Sequence, residues 1–160
     1  MYLLIVSPKS IVYERRNGEL HKRLYNEFVG QIRDMGLKKS WRDHGSPTCL
    51  AQSYAGRRGK EGDSSGGPKP ERAGKGAWPT LTIEAGFSQT LAQLRIGMRQ
   101  WFSMSNHEVK IVLLTNFDGT TILLEKWEEE IPVRPGAGEG DLAFGVQELE
   151  EYAEDVWAQV

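Results

Sequence analysis

The chain has 160 residues and a mass of 18.0 kDa, with 39% apolar and 26% charged side chains and a formal net charge of -2. That is one domain's worth of protein, long enough to bury a core of its own and too apolar for a wholly disordered chain. A single cysteine, Cys49, excludes an intramolecular disulfide and a cysteine-based zinc cluster, and no apolar run approaches the roughly 18 residues that a membrane-spanning helix needs.

In chain order, Tyr2 to Val6 is apolar and β-prone, a short edge or cap strand. The opening residues, 1–12, are not followed by a small-residue cleavage site, so no secretory signal is expected. With the lone cysteine this points to an intracellular protein, cytoplasmic or nuclear, with no membrane partner. Gly18 to Met35 reads as the first helix. Leu20, Leu24, Phe28 and Ile32 recur every three or four residues, and Gly36 ends the helix. Thr48 to Ser53 has strand character. Residues 53–78 hold seven glycines, two prolines, six basic and three acidic side chains, which predicts a Gly-rich loop.

Beyond Trp78 the pattern sharpens. Leu81 to Ala85 is a β-prone run opened by Pro79. Ser88 is the expected N-cap of a helix from Gln89 to Ser103, with Leu91, Leu94, Met98, Trp101 and Phe102 as its buried stripe. His107 to Asn116 carries a nearly continuous apolar strand, an Asp118-Gly119 turn follows, and Thr121 to Trp127 returns as the next strand. Residues 131–140 read as linker, Leu142 to Val146 as a further strand or loop, and Leu149 to Val156 as a short acidic helix. The whole chain, 1–160, is expected to be one domain with an acidic C-terminal segment at about 128–160.

The net charge conceals an asymmetry. Residues 1–124 carry 18 basic and 11 acidic side chains, a net of +7, while residues 125–160 carry 2 and 11, a net of -9. A basic body attracts phosphates and an acidic tail repels them, which fits a nucleic-acid surface masked by the tail. Two ordinary solvated surfaces, or a surface for a protein partner or a second copy of the chain, fit the same numbers.

Two acids stand out. Glu84 ends a core-like strand, where a carboxylate is costly unless it is paired or holds a cation. Asp63 lies 21 residues earlier. Two carboxylates from neighbouring strand ends suit Mg2+ or Mn2+, which take hard oxygen ligands and activate water against a phosphodiester. The plainer alternative is an ion pair from Glu84 to Arg95 or Arg99, with Asp63 a loop acid.

The stretch from Trp78 to Leu91, with Leu94, Arg99 and the Trp101-Phe102 pair behind it, resembles the core of the PD-(D/E)XK nuclease superfamily. It is most similar to the Uma2-like restriction-endonuclease-type branch and to uncharacterised fungal proteins related to it. In these proteins a proline-initiated strand ends in a glutamate, and a helix and an apolar strand follow. Here these match Pro79 to Glu84, the helix after Ser88, and His107 to Phe117. Glu125 to Glu128 resembles the end of the next strand. Lys60 to Ser64 resembles the segment that carries the first metal-binding aspartate. The resemblance implies an α/β, restriction-endonuclease-like core, a four-stranded mixed sheet flanked by helices, with Asp63 and Glu84 as ligands of Mg2+ or Mn2+. The superfamily's lysine two residues after the glutamate is absent, since Gly86 stands there. Arg99, with Arg95 one turn earlier, matches the basic helix position of the Uma2-like branch. An arginine there stabilises phosphate and is a poor general base. Glu27 corresponds by position to a helix glutamate of some members. The implied activity is metal-dependent phosphodiester hydrolysis. The alternative is a catalytically inactive nuclease-like module that binds nucleic acid or a protein partner.

Overall fold

The computed structural model describes residues 2–6, 17–50, 59–74, 76–86, 89–117 and 122–129. The chain forms β1 (Tyr2–Val6), α1 (Asn17–Asp34), a 3-10 turn (Lys38–Ser40), β2 (Trp41–Gly45), β3 (Thr48–Leu50), β4 (Gly59–Glu61), β5 (Ser64–Pro68), β6 (Leu81–Gly86), α2 (Leu91–Met104), β7 (Ile111–Phe117) and β8 (Ile122–Glu128). The expectations for residues 131–160, including the linker and the acidic helix, lie outside the described residues.

One six-stranded sheet runs β1-β8-β7-β6-β5-β2, and β3 and β4 form a separate two-stranded hairpin. All its pairs are antiparallel except β6–β7. That pair is parallel because α2 connects the two strands, as a parallel crossover requires. The mixed sheet flanked by helices is as expected, with β2 and β1 as added edge strands outside the four-stranded core β5-β6-β7-β8.

Period-two alternation divides the core. Leu81 and Ile83 of β6, Leu113 of β7 and Ile122 of β8 pack with Leu24, Tyr25, Phe28 and Ile32 of α1. Val112 and Leu114 of β7 instead join Leu94, Met98 and Trp101 of α2, with Val109, Trp78 and Cys49. The helices therefore cover opposite faces of the sheet. The α1 stripe is the one the sequence predicts, and Gly36 follows it at φ 77°. The α2 cap is Thr90, not the expected Ser88. Gln93 N–H donates to the Thr90 hydroxyl at 3.3 Å, and the Gln93 side chain accepts the Thr90 N–H at 2.8 Å, a reciprocal capping box. No helix among the described residues is long and apolar enough to cross a membrane.

The main correction concerns residues 53–78. The expected loop contains β4 and the interior strand β5, whose sequence is Ser-Ser-Gly-Gly-Pro. Glycine disfavours strands in general, but here the packing demands it. A Cβ on Gly66 would lie 2.7 Å from Trp41 Nε1 and 2.8 Å from the Arg42 carbonyl oxygen, and would also strike the Tyr25 hydroxyl. Gly66→Ala is therefore expected to lower stability by roughly 1–3 kcal/mol, as overpacked cores do. Gly74→Ala, where a Cβ meets nothing within 4 Å, is the control and should unfold like the wild type in thermal melts.

Candidate functional site

Three strand ends converge beneath α2. Ser64 faces Ile83 in the antiparallel β5–β6 pair, so Asp63, one residue back, falls opposite Glu84. The Asp63 N–H donates to the Ile83 carbonyl at 3.1 Å. Its carboxylate Oδ2 accepts the Ala85 N–H at 2.7 Å. Asp63 is thus pinned on both sides of residue 84, by its backbone to Ile83 and by its side chain to Ala85, which fixes it next to Glu84.

Glu84 is held from the other side. The Trp101 indole Nε1 of α2 donates to Glu84 Oε1. The Lys60 ammonium of β4 lies 3.1 Å from the same oxygen and 4.9 Å from the centre of the Trp101 ring. Both Lys60 and Glu84 side chains are 15% exposed. At that burial a paired cation is much more favourable than a bare carboxylate. In place of the alternative ion pair from Glu84 to Arg95 or Arg99, the cation on Glu84 among the described residues is Lys60.

Among the described residues, Asp63 is engaged through Oδ2 and Glu84 through Oε1. Two adjacent carboxylates are the donor chemistry of a hard divalent cation. No group of three or more His, Cys, Asp or Glu side chains with ligand geometry occurs among the described residues, so a cation held here would complete its shell with water or substrate oxygens.

Arg95 and Arg99 are placed apart from this pair. Arg95 forks onto Glu125 of β8, with Nε 3.0 Å from Oε2 and Nη2 on Oε1. Glu125 is 1% exposed, and it also accepts the Trp127 indole N–H at 2.9 Å. The Arg95 hydrogen bond, against the opposing effect of burial, holds the Glu125 carboxyl below its ordinary pKa. Arg99 is on the exposed side of α2, one turn on from Arg95. Glu27 is exposed on α1.

No side chain fits at residue 86, two positions after Glu84. A Cβ there would come within 2.6 Å of Leu94 Cδ1 and 2.9 Å of Asn116 Nδ2. The space after Glu84 is filled by Leu94 of α2 and Asn116 of β7.

Two residues of the site escape the sequence reading of its chemistry. Lys60 lies in the predicted Gly-rich loop, where the sequence fits a phosphate-backbone contact or a solvated cation equally, and its pairing with Glu84 is not read from it. His21 is buried on α1, and its Nδ1 and the Ser64 hydroxyl oxygen are hydrogen-bonded at 2.8 Å, beside Asp63. The signal for His21 was its place on the apolar stripe, one turn before Leu24 and Tyr25. Burial lowers the His21 pKa, the Asp63 carboxylate opposes that, and Lys22 adds to it.

No family model matches the chain, and no curated protein matches it. Among solved structures it is similar to a protein from Anabaena variabilis described as a putative nuclease belonging to DUF820. The TM-score is 0.52 at 15% sequence identity, covering 83% of this chain and 81% of that one. The chain therefore has a nuclease-like fold, with the restriction-endonuclease-like core of mixed sheet and flanking helices.

The depressed His21 pKa makes stability depend on pH. Below its ordinary pKa of 6.5 the unfolded chain binds a proton that the folded one resists. The contribution is complete above 6.5 and is lost as pH falls through the lower folded value. The melting temperature of the wild type should thus fall more steeply between about pH 7 and about pH 5 than that of His21→Asn. His44, also lowered by burial, contributes equally to both proteins and drops out of the comparison.

Proposed function

We propose that this chain is a metal-dependent phosphodiester hydrolase acting on nucleic acid, a PD-(D/E)XK-type nuclease of the Uma2-like branch. The carrying observation is the Asp63 carboxylate locked onto the Ala85 N–H directly beside Glu84. In this reading Asp63 Oδ1 and Glu84 Oε2 hold Mg2+ or Mn2+. The cation supplies Lewis acidity and a water of lowered pKa. Asp63 is oriented by the Ala85 N–H, and Glu84 by the Trp101 indole. Fixed partners of this kind keep ligand oxygens aimed. Arg99, exposed on α2 and apart from the acid pair, has no part at the reacting phosphate in this reading. Arg95, engaged with Glu125, positions α2 over the sheet.

Nucleic acid as substrate is supported by the net of +7 over residues 1–124 and by the fold shared with the DUF820 protein. A second reading, the inactive module that binds nucleic acid or a protein partner, draws on one feature. Glu84 already has a cation and an indole donor.

The test is a cleavage screen on duplex DNA, single-stranded DNA and RNA with Mg2+, Mn2+ or EDTA. Asp63→Asn and Glu84→Gln should each lower the rate by about a thousandfold, the loss of several kcal/mol of charge stabilisation, while circular dichroism stays native. Cleavage that persists in both variants overturns the assignment. Absence of cleavage with salt-sensitive nucleic-acid binding selects the inactive module. Arg95→Met, by contrast, should lower the melting temperature, because it leaves the buried Glu125 without its cation.

A further inference from the structure

Among the described residues, Lys60 is the cation placed on a proposed metal ligand, and its setting is peculiar. It belongs to the three-residue strand β4, between exposed Gly59 and Glu61. Its ammonium lies against α2: a Cβ on Gly97 would make an ordinary contact, 3.5 Å, with Lys60 Nζ. A methionine or leucine would cover Trp101 as well, without the desolvation that an ammonium entails. The charge itself therefore has a use, and its partner is Glu84 Oε1 at 3.1 Å.

We propose that Lys60 holds Glu84 in competition with the divalent cation, and that it exchanges Glu84 for a phosphate oxygen of the substrate when the cation takes the carboxylate. This rests on the reading that Asp63 and Glu84 are the cation's ligands. The argument is electrostatic. Like charges a few ångströms apart in a largely dehydrated site repel strongly, so the Lys60 ammonium and a divalent cation beside one carboxylate weaken each other's binding. A lysine suits such an exchange. It is a compact point charge on a flexible stem, with no geometric fork to break, unlike the Arg95–Glu125 pair. The device keeps the acidic pair neutralised at low cation concentration and brings a positive group to the place where phosphate charge arrives.

The experiment titrates Mn2+ alone into the metal-stripped full chain, followed by calorimetry and by the shift in melting temperature. The proteins are wild type, Lys60→Met, Lys60→Arg and Glu84→Gln, with cleavage measured in parallel. Lys60→Met should bind Mn2+ about tenfold more tightly than wild type, yet cleave at least about tenfold more slowly. Lys60→Arg, which keeps the charge, should bind Mn2+ as wild type does. If Lys60→Met does not fold, Lys60→Gln, a neutral donor, carries the same expectation. A merely structural lysine would lower stability without tightening metal binding. Mn2+ affinity in Lys60→Met equal to or weaker than wild type, with binding lost in Glu84→Gln, overturns the Lys60 assignment and leaves the ligands standing. Mn2+ binding unchanged in Glu84→Gln, or no binding in any of the proteins, overturns the ligand reading and this inference with it.

Discussion

The structure turns on the cost of carboxylates beneath a helix. Glu84 of β6 pairs with Leu114 of β7, and Leu114 pairs with Glu125 of β8, so the three form one row across the face that α2 covers. Two acids in that row must be compensated before α2 can close. Each receives one indole N–H and one cation: Trp101 and Lys60 on Glu84, Trp127 and Arg95 on Glu125. The solutions differ in kind. A planar guanidinium forked onto a carboxylate is directional and hard to displace, whereas an ammonium is a point charge held by one contact. Glu125 is sealed, with a side-chain exposure of 0%, while Glu84 keeps 15%. One carboxylate is built into the core and the other stands at its opening.

Much of the architecture was legible because the sequence keeps the period of its structure. The α1 stripe from Leu24 to Ile32, the apolar run of β7 and the return in β8 each follow from spacing alone, since one face of each must be buried. The Gly-rich strand β5 was not legible. Its signal is the need for absent side chains, and that need comes from Tyr25 and Trp41, which are remote in sequence. Propensity reads Ser-Ser-Gly-Gly-Pro as loop, and tertiary packing overrides it. The cap of α2 was misplaced by two residues for a local reason, because Thr90 with Gln93 makes the full reciprocal box.

The candidate site divides the same way. Asp63 and Glu84 stand out in the sequence as acids at strand ends, the resemblance adds the ligand role, and pairing across β5 and β6 places them together. Arg95 was expected near phosphate, but its neighbour is decided by a strand two places away in the sheet, which spacing on a helix does not reveal. His21 was readable in principle, as a titratable group on a buried stripe. Its partner Ser64 was not, since 43 residues separate them.

Gly62 joins these observations. A Cβ there would lie 3.2 Å from Trp101 Cζ2 and would strike the Thr82 hydroxyl. The backbone between Lys60 and Asp63 therefore runs hard against β6 and the Trp101 ring, at a distance that only glycine permits. That close passage is what lets two residues three apart in sequence approach Glu84 from different sides, Lys60 on Oε1 and Asp63 across the Ala85 N–H. A side chain at residue 62 would lift the segment and separate the acids together with the cation. The glycine content that predicts a loop here is thus a condition of the site, because it allows the short passage from β4 to β5 to supply both the first carboxylate and the positive charge that residue 86 has no room to carry.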